Sequence, residues 1–327
     1  MGWAAKLNKQ DKIFVAGHCG MVGSAVVRCL TRNRFLNIIM RTSKELDLTR
    51  QADVEEFFAK ECPDYVLMAA ARVGGILANN TYRAQFIYEN LMIQNNVIHA
   101  AYKHKVRKLI FFGSSCIYPY NSKQPIKEQY LLQGPFEPTN EPFAVAKVAG
   151  IKLCEGYYKQ YGSNYFSIIP ANIFGPNDEY NLENSHVLSA LILKFHNAIK
   201  NNSESVTLWG TGKPLREFIY VDDIADACVF LIERVNAEDI YDQNISHLNI
   251  GSGEEISIIE LAKLVAKVVG YDGNINFDTN QPDGMDRKLL DSSRINNLGW
   301  GSKTSIQDGV RLTYDWCLNN DRIIDRV

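Results

Sequence analysis

Three stretches of this sequence carry residue types and spacings that could do chemistry. Phe111-Phe112-Gly113-Ser114-Ser115-Cys116 is an apolar run that ends in two hydroxyls and a thiol. Glu141-Pro142-Phe143-Ala144-Val145-Ala146-Lys147 opens a helical pattern running to about Tyr161, and Lys147 follows Phe143 by four residues, on the same helical face. Gly17-His18-Cys19-Gly20-Met21-Val22-Gly23 spaces its glycines as GxxGxxG between a short apolar strand, 12–16, and a helical run to about Arg34. Glycines there let the backbone turn tightly and approach a pyrophosphate, whose charge then sits at the helix N-terminus. The strand–turn–helix context predicts a dinucleotide site.

The elements that must position these groups alternate. Helices are expected over 51–60, 83–103 and 143–161, and strands over 37–40, 64–69, 108–112 and 165–170. Strands separated by helices at this spacing predict an α/β fold with a doubly wound parallel sheet. The second strand ends in Arg41, where an acid would accept from a ribose 2′-hydroxyl and an arginine pairs with a 2′-phosphate, which favours NADP(H). The third strand ends in Ala69-Ala70-Ala71, small side chains that leave room for a cofactor at a strand's carboxyl end. Residues 171–176 read as a loop leaving the nucleotide domain. Beyond it come a helix at 187–198, a segment 206–212, a strand at 216–221, a helix at 223–235 and a strand at 247–250. A further helix at 257–269 is capped by Ser257 with Glu260 three residues on. The chain divides into a cofactor domain, 11–175, to which segments within 216–250 return, and an interwoven lobe, 176–327.

A strand end carrying Ser followed by a helix carrying aromatic-x-x-x-Lys resembles the short-chain dehydrogenase/reductase superfamily in its extended, Rossmann form. Closer blocks are 113–119, 137–147, Glu-Asn-Ser-His-Val (183–187), Trp-Gly-Thr-Gly-Lys-Pro-Leu-Arg-Glu-Phe (209–218) and 282–291. With them the chain resembles the GDP-L-fucose synthase family from about residue 12 to 317, including related GDP-4-keto-heptose reductases of surface-polysaccharide synthesis. The resemblance implies NADPH reduction of the C4 ketone of a GDP-4-keto sugar, with or without epimerisation at C3 and C5. It places Ser114 on the carbonyl oxygen and Lys147 on the nicotinamide ribose. It places Asp47 and Leu48 near the adenine, and Gly17, Gly20, Met21, Val22, Gly23, Arg41, Ala70, Ala71 and His186 around the cofactor. Ser115, Asn172, Val187, Lys194, Trp209, Arg216 and Lys288 fall to the GDP-sugar. Cationic side chains suit a diphosphate, and Trp can stack on a flat base. Cys19 stands where relatives often have Arg, and Arg72 replaces a usual Lys.

A proton on carbon beside a ketone is acidified because the carbanion delocalises, so epimerisation needs a base on one face and an acid on the other. Cys116 and His186 match the family's pair: a thiolate is a competent base once its pKa falls, and His delivers a proton near neutrality. The family's catalytic aromatic is a tyrosine that donates a proton to the ketone oxygen, and Phe143 has none to give. The favoured reading is an engineered Tyr→Phe substitution that slows reduction. A natural variant with another donor and a catalytically silent binding protein are the alternatives.

Composition narrows the field. Thirty-five Lys+Arg against 37 Asp+Glu leave a net charge of −2, which speaks against a nucleic-acid partner. The 7 cysteines are scattered with no CxxC spacing, which suggests a reduced cytoplasmic chain without a metal site. No apolar run reaches the roughly 20 residues needed to span a bilayer. In relatives the helices corresponding to 83–103 and 143–161 pack as a four-helix bundle, so a homodimer is expected. Phe86, Ile87, Met92, Ile93, Val148, Ile151 and Tyr158 read as apolar residues beyond what one sheet face covers.

Overall fold

The computed structural model describes residues 7–180, 185–281 and 283–320. In chain order the first half holds β1 (Lys12–Ala16), α1 (Met21–Arg32), β2 (Asn37–Ile39), α2 (Gln51–Glu61), β3 (Tyr65–Met68) and the short α3 (Ile76–Thr81). It continues with α4 (Arg83–Lys103), β4 (Lys108–Phe112), α5 (Glu141–Tyr161) and β5 (Tyr165–Pro170). The second half holds β6 (Asn172–Phe174), α6 (Val187–Lys200), β7 (Ser205–Trp209), β8 (Leu215–Tyr220), α7 (Val221–Arg234), α8 (Glu238–Tyr241) and β9 (His247–Ile250). The chain closes with β10 (Glu255–Ser257), α9 (Ile258–Val269), β11 (Asn274–Asp278), β12 (Arg287–Lys288), α10 (Ser293–Asn297) and α11 (Ile306–Asn319).

Six strands form one parallel sheet in the order β2-β1-β3-β4-β5-β9. β3, β4, β5 and β9 are buried along their whole length, which explains their mainly apolar make-up, with Lys108, Ser167, His247 and Asn249 as buried polar exceptions. The strand order reverses between β1 and β3, so the crevice at their carboxyl ends is the natural ligand position of this topology. α1 packs on α7 and α4 on α5, the two helical layers of a doubly wound sheet. α5 starts with Pro142 in its first turn and stops at Gly162, whose φ of 67° lies in the left-handed region. α9 begins with the expected capping box of Ser257 and Glu260.

The second sheet is built around β8, antiparallel to β10 and parallel to β12 and β6, with β7 and β11 forming a separate parallel pair. A second apolar core lies under α6, α9 and α11, joining Leu188, Ile192, Phe195, Leu261, Val265 and Val310. Residues 172–174, expected in a loop, are a strand: they pair with Phe218–Tyr220, a partner 46 positions away that no local pattern reveals. Within 216–250, α7 and β9 pack with the first sheet, while β8 belongs to the second.

Candidate active site

The cofactor crevice starts at the glycine turn. Gly17 has φ +87°, and a Cβ there would stand 2.7 Å from Ala70 N, so the two strand ends approach too closely for any side chain. A Cβ on Gly23 would fall 2.1 Å from Gly17 O, because α1 packs directly on its own turn. Gly20 differs: its nearest neighbour would be 3.5 Å away, so no contact within the protein demands glycine. Gly20 is the N-cap of α1 and offers no capping side chain, so the first-turn N–H groups have no side-chain acceptor from the cap. His18 Nδ1 in the same turn is buried without a hydrogen-bond partner, and its Nε2 lies 3.3 Å from Cys19 Sγ. An uncapped helix start, a glycine with open space and an orphaned ring nitrogen fit a bound dinucleotide.

Around that turn, Asn90 clamps the segment after β3, accepting from Arg72 N and donating to Arg72 O, each at 3.0 Å. Arg72 itself pairs with Glu89 at 3.0 Å. Leu48 O accepts from Asn96 Nδ2 at 3.0 Å, and the Asp47 carboxylate, held below its ordinary range by Thr49, closes its own turn. Arg41 does not point into open space. Its Nη2 meets Glu61 Oε1 at 2.6 Å.

The candidate catalytic residues assemble where β4 ends against α5. Ser114 caps a single 3-10 turn, Ser115–Ile117, its Oγ accepting from Cys116 N at 3.5 Å. Lys147 is almost fully buried and donates from Nζ to Phe112 O at 2.8 Å. That ammonium stands 4.8 Å from the Phe111 ring centroid and 5.6 Å from that of Phe143. Burial, opposed only by Cys116, lowers its pKa from 10.5 to about 8. Phe143 is itself set edge-on to Phe86, centroids 6.4 Å apart. Gly150 lets α5 lie close to β4: a Cβ there would come within 2.5 Å of the Phe111 ring.

Cys116 feels two ammonium groups, those of Lys288 and Lys147. Burial pushes its thiol up, while Lys288, the Ser114 hydroxyl and Lys147 pull it down, and the upward push is larger. The direction is opposite to the lowered thiol that base work requires. Desolvation is the reason. Lys288 pairs in register with Arg216 across β12 and β8, and burial lowers both cations. Glu217, the next residue on β8, is fully buried and anchors the neighbouring turns: Gly253 N donates to its Oε1 at 2.8 Å and Leu290 N to its Oε2 at 2.9 Å. Asn172 Nδ2 donates to Glu217 O at 2.7 Å.

His186 is the N-cap of α6 and exposed, with Nδ1 3.8 Å from Asp178 Oδ1. Asp178 raises its pKa, which favours the imidazolium, a proton donor. Asp178 also accepts from Ser189 Oγ, and its neighbour Asn177 donates to Ser24 Oγ on α1 at 3.0 Å. This chain of contacts ties the His186 segment to the helix that starts at the glycine turn.

A family model described as the NAD dependent epimerase/dehydratase family matches residues 13–251. GDP-L-fucose synthase 1 of Arabidopsis thaliana is 56% identical over 313 residues, 96% of this chain and 95% of its own. The chain belongs to the GDP-L-fucose synthase family. The GDP-L-fucose synthase of Escherichia coli shares 50% identity, covering 95% of this chain and 98% of that one. Among solved structures, a GDP-6-OMe-4-keto-L-xylo-heptose reductase from C. jejuni superposes with TM-score 0.91 at 38% identity, covering 96% of this chain and 99% of its own. A GDP-mannoheptose C4 reductase from Campylobacter jejuni with NADP bound gives TM-score 0.87 at 42% identity, over 95% and 99%. The extended Rossmann fold of the family is the fold seen here.

Of the residues singled out from the sequence, Ser114, Ser115, Cys116, Phe143, Lys147, Arg216 and Lys288 meet at one corner of this family member, and Gly17, Gly20, Gly23 and Ala70 meet at another. Lys194 is half-buried, its pKa lowered by desolvation, while Val187 and Trp209 are exposed, Trp209 at 71%. Glu183, Asn184 and Pro282 of the quoted blocks lie outside the described residues. Sequence reasoning missed Asp178, Glu61, Asn90 and Glu217; each acts on a partner distant in sequence or in a loop, so no periodicity marks it. Among the described residues no group of His, Cys, Asp and Glu could hold a metal ion, and no helix is long and apolar enough to cross a membrane.

Proposed function

We propose that this chain binds NADP(H) across the glycine turn and reduces the C4 ketone of a GDP-linked 4-keto sugar, a 6-deoxy-hexose or a heptose. The observation that carries the reading is the buried Lys147 ammonium, held by Phe112 O and facing the Phe143 ring at 5.6 Å, beside Ser114 and Cys116. Ser114 Oγ holds the ketone oxygen, and Lys147 orients the nicotinamide ribose. When bound, NADPH supplies the hydride for C4. The phenyl ring of Phe143 fills the place of a proton-donating phenol, so the alkoxide must take its proton from solvent, and reduction is slow. The intact surroundings support a substituted site and not a decayed one.

Lys288, Arg216 and Lys194 neutralise the diphosphate, and Trp209 walls the guanine. Residues 11–175, with segments within 216–250 returning to them, form the cofactor lobe, and the remainder of 176–327 forms the interwoven GDP-sugar lobe. Cys116 and His186 face the sugar from opposite lobes; the raised His186 suits an acid, and epimerisation requires the Cys116 thiol to give up its proton against the upward push of burial. A reductase-only role is the second reading, favoured by the upward push on Cys116 and the likeness to C4 reductases. The protein works in the cytoplasm as a homodimer, joined through α4 and α5. A groove at the start of these helices is lined by Arg83, Ala84, Ile87, Glu141, Pro142 and Val145, with Tyr88 exposed alongside. Phe86, Val148 and Ile151, counted from sequence toward that face, are instead buried within the subunit.

Equilibrium titration with NADP⁺, GDP and UDP tests the reading. NADP⁺ and GDP should each bind at micromolar concentration or below, with UDP weaker. Failure of both NADP⁺ and GDP to bind refutes it.

A further inference from the structure

We infer that Glu61 sets how strongly this protein prefers NADP(H) over NAD(H), by holding Arg41 away from the adenosine 2′-phosphate until that phosphate displaces it. The inference rests on the reading that Arg41 is the 2′-phosphate ligand. Glu61 is the last residue of α2, and its carbonyl accepts from Lys12 Nζ at 2.7 Å. Lys12 is the first residue of β1, so Glu61 lies at the amino-terminal edge of the parallel sheet. The glycine turn leaves the other end of β1, at the carboxyl edge where the cofactor crevice opens.

Arg41 follows the end of β2, and Lys12 pairs in register with Asn37, so the Arg41 backbone stands well toward the carboxyl edge. Its side chain nevertheless reaches back. Nη2 meets Glu61 Oε1 at 2.6 Å, Nη1 donates to Met40 O at 2.7 Å, and the guanidinium carbon lies 5.8 Å from the Phe57 ring, one turn before Glu61. The pair is partly buried, with side-chain exposures of 35% and 21%, so it holds more firmly than an open surface pair. The other nearby acid, Glu45, is used elsewhere: its carboxylate takes Thr42 N at 2.7 Å and Thr42 Oγ1 at 2.8 Å.

A ligand that needs a side chain parked in another pairing binds with its intrinsic affinity reduced by the fraction in the competent position. The 2′-phosphate must break the Glu61 pair, whereas NAD(H), having only a hydroxyl, is indifferent to it. Glu61 thus lowers discrimination between the two cofactors, by about three- to tenfold for a partly buried pair.

The test is calorimetric titration of NADP⁺ and NAD⁺ into the full chain, the Glu61→Gln and Arg41→Ala variants, and the double variant. Glu61→Gln keeps the side-chain shape and the backbone bond to Lys12 while removing the charge. NADP⁺ should bind it about three- to tenfold tighter, with NAD⁺ unchanged as proof of an intact crevice. Arg41→Ala should weaken NADP⁺, and adding Glu61→Gln to it should change nothing further. If Arg41→Ala binds NADP⁺ like the unaltered chain, Arg41 is not the phosphate ligand and the inference falls with that reading. If Arg41→Ala weakens NADP⁺ but Glu61→Gln does not tighten it, or tightens NAD⁺ equally, the ligand reading stands and the role of Glu61 is overturned.

Discussion

Replacing Lys147 by methionine should make the protein more stable at neutral pH while abolishing its chemistry. Lys147 is 4% exposed, makes one hydrogen bond to Phe112 O, and has its pKa lowered from 10.5 to about 8 by burial. That gap corresponds to about 3 kcal/mol of destabilisation carried by the buried ammonium at pH 7. Methionine fills similar volume without charge, and leaves Phe112 O without its donor at a cost of about 1 kcal/mol. The net expectation is a gain of about 2 kcal/mol at pH 7.

The pH dependence separates this from simple repacking. Between about 8 and 10.5 the folded chain has released the Lys147 proton while the unfolded chain still binds it. The unfolded state then binds more protons, so the lysine form gains stability as pH rises through this window. By pH 9.5 about 2 kcal/mol of the methionine variant's advantage should be gone. Urea unfolding of both proteins at pH 7.0 and 9.5 measures it. An advantage that does not change with pH, or a variant less stable at pH 7.0, refutes the assignment of a strained buried ammonium.

Phe143→Tyr should raise the rate of C4 reduction about 10²–10⁴-fold, the usual worth of a positioned general acid, with little change in NADP⁺ affinity. Cys116→Ser should suppress any washing of solvent deuterium into C3 and C5 of the sugar, read by NMR. If the unaltered protein exchanges no deuterium, the reductase-only reading holds. Asp178→Asn should move the alkaline fall of that exchange to lower pH, because Asp178 raises the His186 pKa and keeps the imidazolium present at higher pH; an unmoved profile removes His186 from the acid role. Gly17→Ala should lose NADP⁺ binding and cost about 2–4 kcal/mol of stability, from the left-handed φ and a Cβ 2.7 Å from Ala70 N. Sedimentation at micromolar concentration should show a dimer; a 37.0 kDa species would contradict it.

Local patterns carried most of the first sheet. The apolar runs at 12–16 and 108–112 and the long helical repeats at 83–103 and 141–161 are read directly, because burial on both faces and a 3.6-residue period write themselves into neighbouring residues. β6, β10 and β12 were not legible, since three or fewer residues leave no period and their pairing with β8 is decided by distant partners. Ser114, Cys116 and Lys147 are picked out by a strand end, a helix face and the motifs that carry the family resemblance. The charges beside the candidate residues are less legible: Asp178 and Glu61 carry no motif, and Lys288, named for the GDP-sugar, gives no sign in the sequence of its place by Cys116. Asp178 beside His186, Lys288 beside Cys116 and Glu61 beside Arg41 are tertiary neighbours, and the burial that raises the Cys116 thiol depends on packing no motif encodes.

The most direct test of the account is the fate of a labelled hydride. Phe143→Tyr protein is incubated with NADPH deuterated at the transferred C4 position of the nicotinamide and with GDP-4-keto-6-deoxy-mannose or a GDP-4-keto-heptose, and the sugar is examined by NMR. The account predicts one deuterium at C4 of the GDP-sugar in step with loss of NADPH absorbance, and only slow labelling by the unaltered protein. NADPH loss without deuterium at C4, or no turnover of either sugar by the tyrosine variant, would contradict it.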